Sequence, residues 1–188
     1  MRMLTFGLLV WIAVHLFPSI ASSSRQQLVE RLGNIIYQSI FSLLLVASLL
    51  LIVFGWRNTV PSHLYTPPDE LHLPAMLLVV IGFILMVAAN FPTRIKQVIR
   101  HPQLTGVLLW AVAHLLLNGD SRSVIVFSAL GAWCVVSILT INRRDGAWVK
   151  PEVQGKWGRE AIIVVIGLVL SLIIGRFHYF LSGVQLMG

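Results

Sequence analysis

Apolar runs broken by short polar segments set the plan of this chain. The pattern predicts six membrane-spanning helices, roughly over residues 4–21, 35–55, 74–91, 102–118, 121–141 and 160–182. Each run is near the ~17–25 residues that a helix needs to cross a bilayer, with the first and fourth at the short end. The links carry chain breakers: Ser22-Ser23-Ser24, Pro67-Pro68, Pro92 and Asn118-Gly119-Asp120. The last link is tight, which predicts an antiparallel hairpin of spans four and five. No low-complexity tract or separate soluble stretch interrupts the series. The expectation is an all-α polytopic membrane protein, a bundle of about six helices forming one domain over residues 1–188.

Composition agrees with the pattern. The chain is 57% hydrophobic and 11% charged, less than half of the ~25% charge typical of a soluble domain. That excludes a soluble enzyme and a disordered protein. Cys134 is the lone cysteine, so an intrachain disulfide framework and a two-cysteine metal site are excluded as well.

Fourteen Lys and Arg against seven Asp and Glu give a net charge of +7. In a soluble protein this would suggest nucleic acid. Here the charges follow the loops instead, so the expected partner is a lipid bilayer and not nucleic acid. Arg25, Arg31, Arg94, Lys96, Arg100, Arg143, Arg144, Lys150, Lys156 and Arg159 fall in the links after spans one, three and five. Only Arg2, Arg57, Arg122 and Arg176 fall on the other side. The positive-inside rule then places the first group in the cytoplasm and both termini outside. Trp56, Trp148 and Trp157 lie at expected span ends, where indoles anchor. The first span also has the look of a secretory signal ending in Ser19-Ile20-Ala21. A positive region of one residue and the interrupting His15 argue for a retained span.

Ionisable groups deep in a span point to function. His15 lies eleven residues in from Leu4, about 17 Å from the outer side. His114 lies twelve residues in from Pro102, about 18 Å from the opposite side. Across a core about 30 Å thick, the two reach similar depths. Trp11 and Trp110 each precede a histidine by four residues and so share its helical face. Ala13, Ala111 and Ala113 allow a bulky group or another backbone to approach. Two neutral imidazoles on different helices suit the axial positions of a haem iron. Without a Cys-x-x-Cys-His motif such a haem would be held non-covalently. Tetrahedral zinc is poorly supplied, for want of further deep ligands. Each histidine also has a plainer reading as a core residue hydrogen-bonded within the bundle.

The other candidates are weaker. His63 and His72 fall in an outer loop, and His178 falls near the outer end of the last span, where a snorkelling side chain is expected. Cys134 reads as a small buried hydrophobe, or as an alternative iron ligand. Arg94, Lys96, Arg100 and His101 gather before Pro102, which suits a helix start. The helix N-terminus and these cations form a corner fit for haem propionates, lipid phosphate or a nucleotide-like cosubstrate. The same charges also serve topology alone.

The run Arg100-His101-Pro102-Gln103-Leu104-Thr105-Gly106-Val107, continuing through Leu109-Trp110-Ala111-Val112-Ala113-His114 to Asp120, resembles the core signature of the NnrU family. These are bacterial integral membrane proteins whose genes were first linked to nitrite and nitric oxide reduction. Looser similarity covers His15, Glu30-Arg31-Leu32-Gly33 and Phe177-His178-Tyr179.

The superfamily includes the zeta-carotene isomerase, which resembles a haem b enzyme turning a cis double bond to trans. His15 and His114 match the positions of its two axial ligands. Its signature has a cysteine three residues before the second histidine, where this chain has Ala111.

The resemblance therefore implies haem b on His15 and His114, and the four-residue spacing would set Trp11 and Trp110 against the porphyrin. Arg100 and His101 would meet propionates or an anionic partner. It also implies a bacterial inner membrane location, and either a redox partner in nitrogen-oxide respiration or a lipophilic polyene substrate.

Arg100, His101, Pro102 and Gly106 also resemble the S-adenosylmethionine motif of membrane methyltransferases related to the isoprenylcysteine enzyme. Those enzymes carry a Glu-rich segment further on, which neither Asn142-Arg143-Arg144-Asp145 nor the residues after Asp145 supply.

Overall fold

The structure is a computed structural model and describes residues 1–152 and 157–183. Lys156, counted above among the basic residues, lies outside the described residues. Among the described residues eight α-helices follow one another: α1 (Arg2–Ile20), α2 (Ser22–Leu32), α3 (Asn34–Arg57), α4 (His72–Ala88), α5 (Ile95–Val98), α6 (Pro102–Leu117), α7 (Ser121–Asp145) and α8 (Trp157–Ser182). Five helices among the described residues are long and apolar enough to cross a membrane, and α6 is a shorter apolar helix of 16 residues. The protein is an all-α polytopic membrane protein. Its apolar surface fits that solvent: Ile35 is 80% exposed and Leu43 68%, on a helix of otherwise similar character.

Three segments differ from the expected plan. Residues 22–32, expected as a link, form the polar helix α2, which has no buried residue. A 3₁₀ turn at Asp69–Leu71 leads directly into α4, so His72 begins a helix instead of lying in a loop. The short α5 stands between α4 and α6.

The chain divides into two compact units. The first comprises residues 1–66 and 118–146, and the second residues 67–117 and 147–188.

In the first unit α1 and α3 pack at glycine contacts. A Cβ on Gly7 would lie 2.9 Å from the Ile52 nitrogen, and one on Gly55 would overlap the Leu4 backbone. Small residues let helix backbones approach closely enough for dispersion to hold them in lipid, where the hydrophobic effect gives no helix–helix drive. Helix α7 is joined to the end of α3 by polar contacts. The Arg122 guanidinium lies 4.6 Å from the Trp56 ring and donates to the carbonyls of Trp56 and Thr59, both at 3.3 Å. Asp120 caps α7, accepting from the amides of Arg122 at 3.0 Å and Ser123 at 3.2 Å. The link before it is fixed by Gly119, where a Cβ would overlap the Tyr65 carbonyl oxygen.

The second unit is centred on α4. Gly82 and Gly106 face each other across α4 and α6, and a Cβ on either would fall within 2.8 Å of the other's carbonyl oxygen. Gly167 of α8 meets Ile84 of α4, at 2.7 Å for the same added atom. Below these contacts Glu160 of α8 accepts from the Thr93 hydroxyl and, at 3.0 Å, from the Arg94 amide. Arg94 also lies over the Trp157 ring at 4.0 Å. Helices α6 and α8 are thus both seated on α4.

Candidate histidine sites

Each unit carries one Trp-x-x-x-His face, and the two are built alike. In α1 the Nδ1 of His15 lies 2.9 Å from the Trp11 carbonyl oxygen. In α6 the Nδ1 of His114 lies 2.8 Å from the Trp110 carbonyl oxygen. A carbonyl only accepts, so Nδ1 carries the proton in both rings. The lone pair is then on Nε2, the arrangement in which a nearby carbonyl orients a ligating histidine. Four-residue spacing produces this locally, because the i−4 carbonyl lies beneath the ring on the same helical face.

The surroundings of the two rings differ. His15 rests against Trp11, with ring centroids 3.8 Å apart. Trp133 of α7 meets both, at 5.3 Å from His15 and 4.6 Å from Trp11. Phe41 of α3 closes the group at 6.4 Å. The Trp133 Nε1 is buried and has no hydrogen-bond partner among the described residues. His114 lies 4.5 Å from Trp110 and 6.3 Å from the ring of His178 on α8. His178, expected at the interface, is therefore a neighbour of His114. Trp133 and Phe41 have no signal in the sequence, since only tertiary packing brings them to His15.

The alanines part ways. Ala111 and Ala113 are fully buried, so they serve close helix packing, whereas Ala13 is exposed. Cys134 is buried on α7 beside Trp133 in sequence. Arg100 and His101 are half-buried at the turn before α6, and both engage partners. They stand roughly 20 Å along α6 from His114, at 1.5 Å per residue. No three His, Cys, Asp or Glu side chains gather to hold a bare metal ion among the described residues.

Taken each by itself, a tautomerically fixed imidazole beside an indole is a donor that suits haem b. It supplies a neutral nitrogen ligand and an apolar aromatic wall, as a porphyrin requires.

A model of the NnrU protein family matches residues 3–186, nearly the whole chain. No curated protein and no solved structure matches it.

Proposed function

The chain belongs to the NnrU family, and from that premise we propose that it is a b-type haem protein of a bacterial inner membrane. His15 and His114 would hold the haem iron in this reading. The observation that carries it is the repeated bond from Nδ1 to the carbonyl of the tryptophan one turn earlier. That bond fixes the tautomer and puts the lone pair on Nε2, the arrangement common among histidines that ligate a metal.

Haem, when bound, supplies one-electron redox chemistry or, at an open axial site, Lewis-acid iron. The chain's own residues do the rest. Trp11 and Trp133 confine the His15 ring, while Trp110 does so for His114. These aromatic walls exclude water, and that lowers the dielectric around the ligands. Arg100 and His101, roughly 20 Å along α6 from His114, suit an anionic partner at the end of the bundle assigned to the cytoplasm.

Two roles are open to such a centre: electron transfer in nitrogen-oxide respiration, or cis–trans isomerisation of a lipophilic polyene. The absence of a cysteine at Ala111 favours the first, because no second ligand stands ready on that helical turn to vacate the iron. Nothing among the described residues favours methyl transfer.

The test is a pyridine haemochromogen assay on full-length protein purified from haem-replete cells, followed by carbon monoxide addition to the reduced form. One haem b per chain with a spectrum indifferent to carbon monoxide supports the electron-transfer reading. A carbon monoxide complex supports the isomerase reading. Protein that purifies colourless contradicts both.

A further inference from the structure

A second site stands at one end of the first unit. Pro18 near the end of α1, Arg25 of α2, Arg144 in the last turn of α7, and Tyr37, Gln38, Phe41 and Ser42 of α3 line a cleft of about 540 Å³. The α3 residues belong to its first turns and form one stripe, at spacings of one, four and five. The cleft therefore opens where three apolar helices emerge together, at the level of lipid headgroups. Its size suits an organic headgroup better than a bare ion.

The lining is amphipathic. Phe41 and Pro18 give an apolar floor, and Tyr37 stacks on Phe41 at 6.1 Å. The Arg25 guanidinium lies 5.6 Å from the Tyr37 ring centroid. Among the described residues no carboxylate pairs with Arg25. Arg144 holds Asp145 in a two-pronged contact, at 2.7 and 3.3 Å, and reaches the Pro18 carbonyl at 3.5 Å. One negative charge therefore answers two guanidinium groups. The Tyr37 hydroxyl is buried and without a hydrogen-bond partner among the described residues. Planar guanidinium forks match phosphate oxygens in pairs. Basic pockets between membrane helices on the cytoplasmic side bind acidic headgroups.

We propose that this cleft binds the phosphate group of an anionic membrane lipid, with Arg25 and Arg144 as the phosphate ligands and Phe41 and Pro18 beneath the glycerol. The Arg25 guanidinium moves from the tyrosine ring to the phosphate, and the uncompensated charge of the site is neutralised. Phe41 also borders His15, but neither histidine lines the cleft and no substitution in its test touches Phe41 or a histidine, so failure of the lipid reading leaves the haem reading in place.

The experiment uses the full chain in neutral detergent with phosphatidylcholine, titrated with phosphatidylglycerol, the retained lipid being counted by native mass spectrometry. The wild type retains phosphatidylglycerol in preference to phosphatidylcholine. Arg25→Gln with Arg144→Gln lowers that preference by about tenfold or more. Arg31→Gln with Arg143→Gln removes the same charge from the same end, outside the cleft, and leaves the preference in place. Arg25→Lys with Arg144→Lys keeps the charge but not the planar forks and retains a preference between those of the wild type and the glutamine pair, which separates a lost ligand from a lost fold. The proposal is overturned if the wild type shows no preference, or if both glutamine pairs lower it alike. Inorganic phosphate that displaces the lipid at equal concentration overturns the lipid assignment in favour of the free anion.

Discussion

His114 of α6 and His178 of α8 face each other with ring centroids 6.3 Å apart and planes inclined by 30°. Their approach depends on α4, which holds α6 through Gly82 and Gly106 and α8 through Ile84 and Gly167. A second imidazole this near to the proposed ligand His114 would act on its electronics without replacing it. His178→Phe is therefore expected to keep the haem and to move its midpoint potential by tens of millivolts. A spectroelectrochemical titration measures this. Loss of the haem in His178→Phe, with retention in His114→Ala, would reassign the ligand to α8.

The α4–α6 contact predicts a stability effect with its own control. Gly106→Ala places a methyl group 2.6 Å from the Gly82 carbonyl oxygen and 3.0 Å from the Met86 side chain. Backbone has to move, and overpacking of this kind typically costs about 1–3 kcal/mol. Gly158→Ala meets nothing within 4 Å in the first turn of α8. Relief of glycine's helical disadvantage makes it neutral or stabilising by up to about 1 kcal/mol. Unfolding of both variants in mixed micelles gives the comparison. Equal stability of the two would remove the close approach of α4 and α6.

Asp120 predicts an acid-dependent contribution. Burial alone would raise its carboxyl, but the Ser123 hydroxyl and amide, the Arg122 amide and the Arg122 guanidinium outweigh it and hold the group below its ordinary range. The folded carboxyl thus binds its proton less readily than the unfolded one, whose ordinary value is about 3.9. The stabilisation is complete above that value and is lost as pH falls through the lower folded value. Asp120→Ala is expected to destabilise by about 0.5–2 kcal/mol at neutral pH through the lost cap. The gap between wild type and variant then narrows as pH falls below about 4. Thermal unfolding as a function of pH reads this directly, and a gap that widens in acid would contradict it.

Trp133 predicts a packing effect separable from ligation. Trp133→Ala removes the ring that edges on both His15 and Trp11 but leaves the bond from His15 to the Trp11 carbonyl within one helix turn. On the proposed ligation by His15 and His114, haem is expected to stay bound but to be released several-fold faster to apomyoglobin. Release at the wild-type rate would show that Trp133 does not border the site.

Much of this is legible in the sequence because it is local. Membrane helices read as long apolar runs, since water cannot satisfy the backbone in lipid and each helix must satisfy its own. The Trp-x-x-x-His faces read equally well, because four-residue spacing alone sets the contact between ring and carbonyl. Residues 22–32 do not read as a helix. Ser22, Ser23 and Ser24 look like a break, and the polar α2 has no apolar face to show; its place between the ends of α1 and α3 is what orders it. The neighbours Trp133, Phe41 and His178 are invisible for a related reason. Each reaches its histidine from another helix: glycines whose partners the sequence does not name set the registers of Phe41 and His178, and the contacts of Arg122 with the end of α3 set that of Trp133.

The absorption spectrum of the purified full chain, beside His15→Ala and His114→Ala, bears on the haem assignment more directly than any other experiment. Each histidine's orienting bond lies within its own helix, so either alanine leaves that backbone intact. A low-spin b-type spectrum is expected in the wild type, abolished or converted in each variant at unchanged helicity. A Soret band that is the same in all three proteins would contradict the assignment.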